Sequence, residues 1–391
     1  MPAVEPPFSA FQSEIYLNGA LGVRPDLPIG VAALEAAAQD RFSPEAFGYV
    51  AGSAGTESTV RANRAAFERW RIVPRFLRDV SVRDQSTTVL GTPMPAPVIL
   101  GPVGVQGIVH PDAEVAVARA VADLGVPMAL STVSSYSMED VATACGGSPH
   151  WFQLYWPKDR EVGASLLARA KSAGYSALLL TLDTFILAWR PRDLVNGYLP
   201  FLSRLGLANY ESDPAFRAGL QASPEEDPTG CVMHWQSMFG DPSNTWEDLA
   251  WVRDHWDGPI ALKGVLHPDD ARRAVDAGME GVLVSNHGGR QIDGEIAALD
   301  ALPAVVAAVD GRAEVLFDSG IRTGSDVMKA LALGADAVLL GRPYIYGLGI
   351  AGEAGVRHVV RCLLAELDLS MALAGCASLA DIGPELLTQI P

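Results

Sequence analysis

Lysine is scarce in this chain. It occurs only at Lys158, Lys171, Lys263 and Lys329 in 391 residues, and the 29 Lys+Arg stand against 46 Asp+Glu, a formal charge of −17. A surface that follows nucleic-acid phosphates needs clustered cations, so the balance argues against that partner, and an anionic small molecule gains no long-range attraction from the molecule as a whole. Any anion site must then be a local group of arginines. Cysteine is also thin: Cys145, Cys231, Cys362 and Cys376 are widely spaced, with no CxxC pair. A disulfide framework would be unusual in so long an apolar chain, and we read a reduced, cytoplasmic protein. No uncharged apolar run reaches about 18 residues, and residues 1–16 have neither a basic start nor an apolar stretch, so neither a spanning helix, a membrane partner nor a signal peptide is expected. Apolar residues are abundant: 49% of the chain is hydrophobic and 19% charged, which excludes a disordered protein and permits a large core.

Eight short hydrophobic runs recur, starting at Val98 (VILG), Val126 (VPMALS), His150 (HWFQLY), Ala177 (ALLLTLD), Pro259 (PIALKG), Gly281 (GVLVSN), Glu314 (EVLFDS) and Asp336 (DAVLLGR). Their near-continuous hydrophobicity suits strands buried on both faces, and the stretches between them, such as 114–124 and 269–277, carry apolar residues at helical spacing. Most starts lie one βα unit apart, roughly 30 residues, but the fourth step carries an excess of roughly 50 between residues 189 and 246. Eight units fit a closed barrel better than an open doubly wound sheet. The expected fold is therefore α/β, a TIM (β/α)8 barrel spanning 98–391. A lid insertion at 191–245, rich in aromatics, follows the fourth strand. Before the barrel, residues 1–97 are expected to form a helical cap, with helical patterns at 31–39 and 57–70 and a barrel-plugging strand-turn-strand segment at 87–95.

Barrel enzymes act with residues at the carboxyl ends of their strands. Here those ends carry Ser131, Gln153, Tyr155, Thr181, Asp183, Lys263, Ser285, His287, Arg290, Asp318, Arg322 and Arg342. An imidazole can take a proton, an arginine can hold a carboxylate with two parallel bonds, and a lysine can stabilise the anionic form of an aromatic cofactor. SNHGGRQ from Ser285 is the most informative segment, since one loop can present a base and an anion clamp three residues apart. DSGIR from Asp318 and Gly341-Arg342 follow the seventh and eighth strands, where barrels commonly build phosphate cradles. Such glycine turns also serve simply to close short αβ connections.

SNHGGRQ closely resembles the active-site signature of the FMN-dependent α-hydroxy-acid oxidizing family. The resemblance extends through YVAGSAG at Tyr49, GPVGVQGIVHPDAE from Gly101, FQLYWPKDR from Phe152, TLDT from Thr181, LKGV from Leu262, FDSGIRTG from Phe317 and GRP from Gly341. Within the family it is most similar to the lactate 2-monooxygenase branch, through WRPRDL from Trp189, NYxxDPxF from Asn209 and TWEDLAWVR from Thr245.

The resemblance implies FMN as cofactor, and a small-molecule L-2-hydroxy acid and O2 as partners in a homotetramer or higher homo-oligomer. It implies that His287 takes the substrate proton with Asp183 stabilising its charged form. Arg290 and Tyr49 would bind the carboxylate, with Tyr155 and Arg190 lining the site and Arg190 assisting contacts to the carboxylate or hydroxyl. Lys263 would stand beside flavin N1 and the C2 carbonyl, and the backbone at Val103 and Gly104 would face N5. Ser131, Gln153, Thr181 and Ser285 would bond the ring or ribityl chain. Asp318, Gly320, Arg322, Gly341 and Arg342 would hold the phosphate. Two positions separate branches: Gly104, where simple oxidases of the family have alanine, changes the room beside N5, and Val133, where glycolate oxidase has tryptophan, widens the pocket beside the substrate's carbon chain. The expected reaction is oxidation of L-lactate to acetate, carbon dioxide and water. The alternative is an oxidase, for lactate or broader 2-hydroxy acids, that releases the 2-oxo acid and peroxide. A flavin-binding protein without turnover would lack the base or the clamp, and a barrel isomerase or nucleotide dehydrogenase would not use SNHGGRQ.

Overall fold

The computed structural model describes residues 6–390, so part of the leader reading, at residues 1–5, lies outside the described residues. Eight parallel strands close into a barrel: β1 (Val98–Leu100), β2 (Met128–Ser131), β3 (His150–Tyr155), β4 (Leu178–Thr181), β5 (Ile260–Lys263), β6 (Gly281–Val284), β7 (Glu314–Phe317) and β8 (Ala337–Leu340). Each pairs with its sequence neighbours, and β8 closes on β1 through Val338 opposite Val98. The eight hydrophobic runs are these eight strands.

Their continuous hydrophobicity follows from burial on both faces. Ile99, Ala129, Trp151, Leu179, Ala261, Leu283, Leu316 and Leu339 form one buried cluster inside the barrel, while alternate residues such as Leu130, Phe152, Leu180, Leu262 and Val282 join the larger cluster beneath the surrounding helices. The inner cluster also takes in Val89, Leu90 and Met94 from an antiparallel hairpin, Thr87–Val89 with Thr92–Met94. Trp151 Nε1 donates to Thr92 Oγ1 at 2.9 Å, tying β3 to that hairpin.

The patterns at 31–39 and 57–70 correspond to helices Val31–Arg41 and Ser58–Glu68. Two features had no counterpart in the sequence reading. A helical run of 33 residues, Arg342–Ala374, bends at Ala351 and Gly352 and packs on the helices Val31–Arg41, Ala113–Leu124 and Gly324–Ala332. The chain's end returns to pair Leu387–Gln389 with Trp70–Ile72. Neither has a strong local signal, because a three-residue strand is fixed by its partner and the helix is apolar on several faces.

Residues 191–245 are largely helical. They hold Pro191–Asn196, Pro200–Ser203, Ala208–Glu211, Pro214–Ala218 and Pro228–Met238, each but Ala208–Glu211 opened by a proline in its first turn, where the missing N–H costs nothing. Phe201, Tyr210, Phe216 and Trp235 are buried among them. No helix is long and apolar enough to cross a membrane among the described residues. None of the four cysteines is bonded to another.

Candidate active site

The site lies at the carboxyl ends of the strands, because strand polarity delivers each terminal side chain there. Ser131, Tyr155, Thr181 and Lys263 are the last residues of β2, β3, β4 and β5, and Ser285, Asp318 and Gly341 follow β6, β7 and β8. A cavity at this face is lined by Tyr49, Val103, Gly104, Val133, Tyr155, Arg190, Lys263, His287, Arg290, Asp318, Gly320, Arg322, Gly341 and Arg342 among others. Asp183 stands directly behind His287. Ser131, Gln153, Thr181 and Ser285, expected to touch a cofactor, are buried beside the cavity and mostly bond one another or Lys263. Ser131 Oγ donates to Gln153 Oε1 at 3.0 Å, and Gln153 Nε2 donates to Thr181 Oγ1 at 2.9 Å.

The charged centre is compact. His287 Nδ1 is 2.7 Å from Asp183 Oδ1, Lys263 Nζ is 3.2 Å from Asp183 Oδ2, and Lys263 Nζ also reaches Ser285 Oγ at 3.2 Å. Burial alone would raise the Asp183 pKa, but His287 and Lys263 outweigh it and hold the carboxyl below the usual range. Burial pushes the His287 pKa below 6.5 against the pull of Asp183, with Lys263 pushing the same way as burial. Nδ1 thus faces a fixed carboxylate, which leaves Nε2 as the nitrogen free to take a proton. Thr184, absent from the predicted site though it closes the TLDT motif, donates to Asp183 Oδ1 at 2.8 Å and lies 3.2 Å from His287 Nδ1.

The loop holding His287 is unusual in its backbone. His287 has φ 56 and the following Gly288 φ 65, a left-handed pair that turns the imidazole back over the barrel. A Cβ at Gly288 would stand 2.7 Å from Arg342 Nη1, so the glycine allows both the turn and the close approach of that guanidinium. Gln291, also missed, donates to the Asp183 carbonyl and accepts from Arg190 Nη2 at 2.7 Å. Neither Gln291 nor Thr184 differs from an ordinary loop polar residue until the loops are in place.

Among the described residues, four guanidiniums face this cavity without a carboxylate ion pair. Arg190 Nε donates to the Arg290 carbonyl at 3.0 Å; Arg290 Nη1 donates to the carbonyls of Tyr49 and Gly52 and stacks 4.9 Å from the Tyr49 ring centre. Arg342 donates to the carbonyls of Val50, Gly288 and Gly52, each at 3.0 Å, and Arg322 to that of Ile321. Burial lowers the Arg342 pKa to about 9 and that of Arg190 to about 10, so both remain cationic at neutral pH. Buried cations compensated only by carbonyl dipoles are costly, and an anionic ligand relieves that cost. Arg322 and Arg342, with Gly320 and Gly341, suit a phosphate; Lys263 suits an electron-rich ring; Arg290 and Arg190 suit a carboxylate. Open space above Gly341, where an added Cβ would meet nothing within 4 Å, fits the same reading. The residues present therefore fit FMN.

Gly104 is closely packed: a Cβ built there would lie 2.4 Å from both the Val133 carbonyl and its Cγ2 and 3.3 Å from Ser131 Oγ. The space is filled by β2's following loop, so Gly104 and Val133 form a fitted pair.

The profile of the FMN-dependent dehydrogenase family matches residues 38–389. The chain belongs to this family. It is 48% identical to an FMN-dependent α-hydroxy acid dehydrogenase of Penicillium citrinum, covering 100% of this chain and 98% of that one. It is 46% identical to an L-lactate oxidase of Lysinibacillus sphaericus, covering 91% of each. Among solved structures, mandelate oxidase with (S)-4-hydroxymandelic acid superposes with a TM-score of 0.83 at 41% identity, covering 93% of this chain and 99% of that one. Family members use FMN and oxidise 2-hydroxy acids, which makes this chain an FMN-dependent α-hydroxy-acid oxidoreductase.

Proposed function

We propose that the protein oxidises L-lactate with O2 as a lactate 2-monooxygenase, giving acetate, carbon dioxide and water. The observation that carries the oxidation is the Lys263–Asp183–His287 array beside two guanidiniums free of carboxylate partners. Arg290 and Arg190 bind the substrate carboxylate, exchanging some of their carbonyl partners for it, and Tyr49 and Tyr155 orient it. His287 Nε2 takes the proton, and the imidazolium so formed is stabilised by the Asp183 carboxylate. Lys263 is buried at the floor of the cavity against Asp183, Ser285 and His287. FMN, when bound, would supply a two-electron acceptor that O2 can reoxidise. Val103, Gly104, Ser131, Gln153, Thr181 and Ser285 would hold its ring and ribityl chain, and Asp318, Gly320, Arg322, Gly341 and Arg342 would hold its phosphate.

The fate of the oxo acid rests on residues 191–245. Phe201 and Phe239 of this segment line the cavity, which favours retention of the oxo acid long enough for peroxide to decarboxylate it, as does the likeness of this segment to the monooxygenase branch. The second reading is an oxidase that releases 2-oxo acid and peroxide, favoured by the likeness to the L-lactate oxidase of Lysinibacillus sphaericus. Aerobic turnover of L-lactate with acetate, pyruvate and peroxide measured together separates the two. Acetate in excess of pyruvate is expected, and stoichiometric peroxide without acetate would transfer the protein to the second reading.

A further inference from the structure

Opposite the phosphate-suited loops of β7 and β8, the cavity ends in an apolar wall. Phe201 comes from helix Pro200–Ser203 and Phe239 follows helix Pro228–Met238, so the two ends of the 191–245 segment meet over the site beside Val103, Val133 and Leu187. The wall is preformed. Buried Trp235 packs at a tilt against both phenyl rings, with centroids 4.6 Å from Phe201 and 4.9 Å from Phe239, and Phe239 lies 5.4 Å from the Tyr155 ring.

Backbone and side-chain bonds fix its position from three directions. Lys158 N donates to the Met238 carbonyl at 2.8 Å, immediately before Phe239. Asn209 donates to the Thr132 carbonyl at 3.1 Å and accepts from Met138 N at 2.8 Å, joining the segment to the loop that carries Val133. A Cβ at Gly206 would lie 2.6 Å from Val105 Cγ2, so the segment rests directly on the loop after β1. The cations of the cavity are bonded to other elements: Arg190 to the loop after β6 and Arg290 to the carbonyls of Tyr49 and Gly52, and neither Phe201 nor Phe239 brings a polar group with it.

Resting on the 2-hydroxy-acid reading above, we propose that Phe201 and Phe239 are the specificity-determining residues that receive the substrate's side chain. They select acids whose C3 side is uncharged and apolar, and Phe239, backed by Trp235, sets the longest chain accepted. A second carboxylate at that end would be desolvated against two phenyl rings with no partner, while added methylenes gain contact until they meet Phe239.

The test is rapid-mixing bleaching of the holoenzyme's visible absorbance by L-lactate, L-2-hydroxyhexanoate, L-2-hydroxyoctanoate and L-malate, in the unmodified protein and in Phe239→Ala. Efficiency with L-2-hydroxyhexanoate should exceed that with L-malate by on the order of 100-fold, and Phe239→Ala should raise the octanoate-to-lactate efficiency ratio by about tenfold or more. If the alanine variant does not fold, Phe239→Leu should move the same ratio in the same direction. L-malate matching L-2-hydroxyhexanoate would assign Arg190 to a second carboxylate and overturn the proposal. An unchanged ratio in the variant that folds would also overturn it while leaving the 2-hydroxy-acid reading intact. Absence of bleaching with all four acids would remove that reading and the wall's role together.

Discussion

His287 is useful as a base because its surroundings disagree about its charge. Burial and Lys263 favour the neutral ring, while Asp183 rewards the protonated one, so the proton is refused at rest and accepted when the substrate gives it up. The sign for pH follows: with its pKa below 6.5 the imidazole is neutral at pH 7, and kcat/KM should stay level through neutrality and fall only in the acid range. A pH profile of lactate reduction checks this, and a decline beginning above pH 7 would contradict it. His287→Gln should slow reduction by about 10² to 10⁴-fold with FMN still bound, since glutamine keeps hydrogen bonding and loses the base. Arg290→Lys should act chiefly on binding, because an ammonium cannot reproduce the planar fork. Titration with oxalate would show a weakened Kd, and unchanged affinity would remove Arg290 from the carboxylate site.

At the scale of elements, a site built from strand ends is legible before folding, and a site built from contacts between loops is not. SNHGGRQ, LKGV and TLDT each end a hydrophobic run, so His287, Lys263 and Asp183 could be placed at one face of the barrel by strand polarity alone. Their convergence within hydrogen-bond distance could not. Thr184 and Gln291 join the site only where the loops after β4 and β6 meet, and the packing of Gly104 on Val133 is hidden because the two are distant in sequence. That geometry changes the expected effect of Gly104→Ala. The methyl must displace Val133, whose carbonyl and Cγ2 would both lie 2.4 Å away, so the loops after β1 and β2 must move apart. The product ratio and the rate of reduction should then move together, measured as acetate against pyruvate and by rapid mixing. A change in partitioning alone would mean that the methyl reaches the flavin side after all.

The 191–245 segment stands on a buried acid of its own. Asp213 caps helix Pro214–Ala218 by accepting from Ala215 N at 2.9 Å and Phe216 N at 3.1 Å, and it accepts from Ser165 Oγ at 2.8 Å and Arg169 Nη1 at 3.1 Å. One fully buried carboxylate therefore joins the segment to helix Arg160–Ser172. Asp213→Asn leaves Arg169 with Glu139 as its remaining charge partner and weakens the helix cap, and should cost about 2 kcal/mol. Hydrogen exchange should show the loss within 208–218 ahead of the barrel strands, and equal exchange there would contradict this role.

Across the whole molecule, charge is divided in a way the total of −17 conceals. Acidic residues dominate the chain, yet Arg190, Arg290, Arg322 and Arg342 converge on the cavity with Lys263, and none of the four arginines pairs with a carboxylate among the described residues. Folding without ligand must hold these four guanidiniums with neutral dipoles, mostly carbonyls, so an anion that fits them should stabilise the native state well beyond what its apolar surface contributes. FMN and riboflavin share the ring and differ in the phosphate. Saturating FMN at about 1,000 times its Kd adds roughly 4 kcal/mol to the native state, which in a chain of this size raises Tm by several degrees. Riboflavin at the same concentration should raise it far less, and inorganic phosphate alone should recover a small part. Arg342→Ala should abolish most of the difference between FMN and riboflavin, because it removes a guanidinium from the end assigned to the phosphate while leaving Lys263 at the ring. Thermal melts of the apoprotein with each ligand decide the matter: equal shifts from FMN and riboflavin would show that these arginines serve the protein's own carbonyls and hold no phosphate.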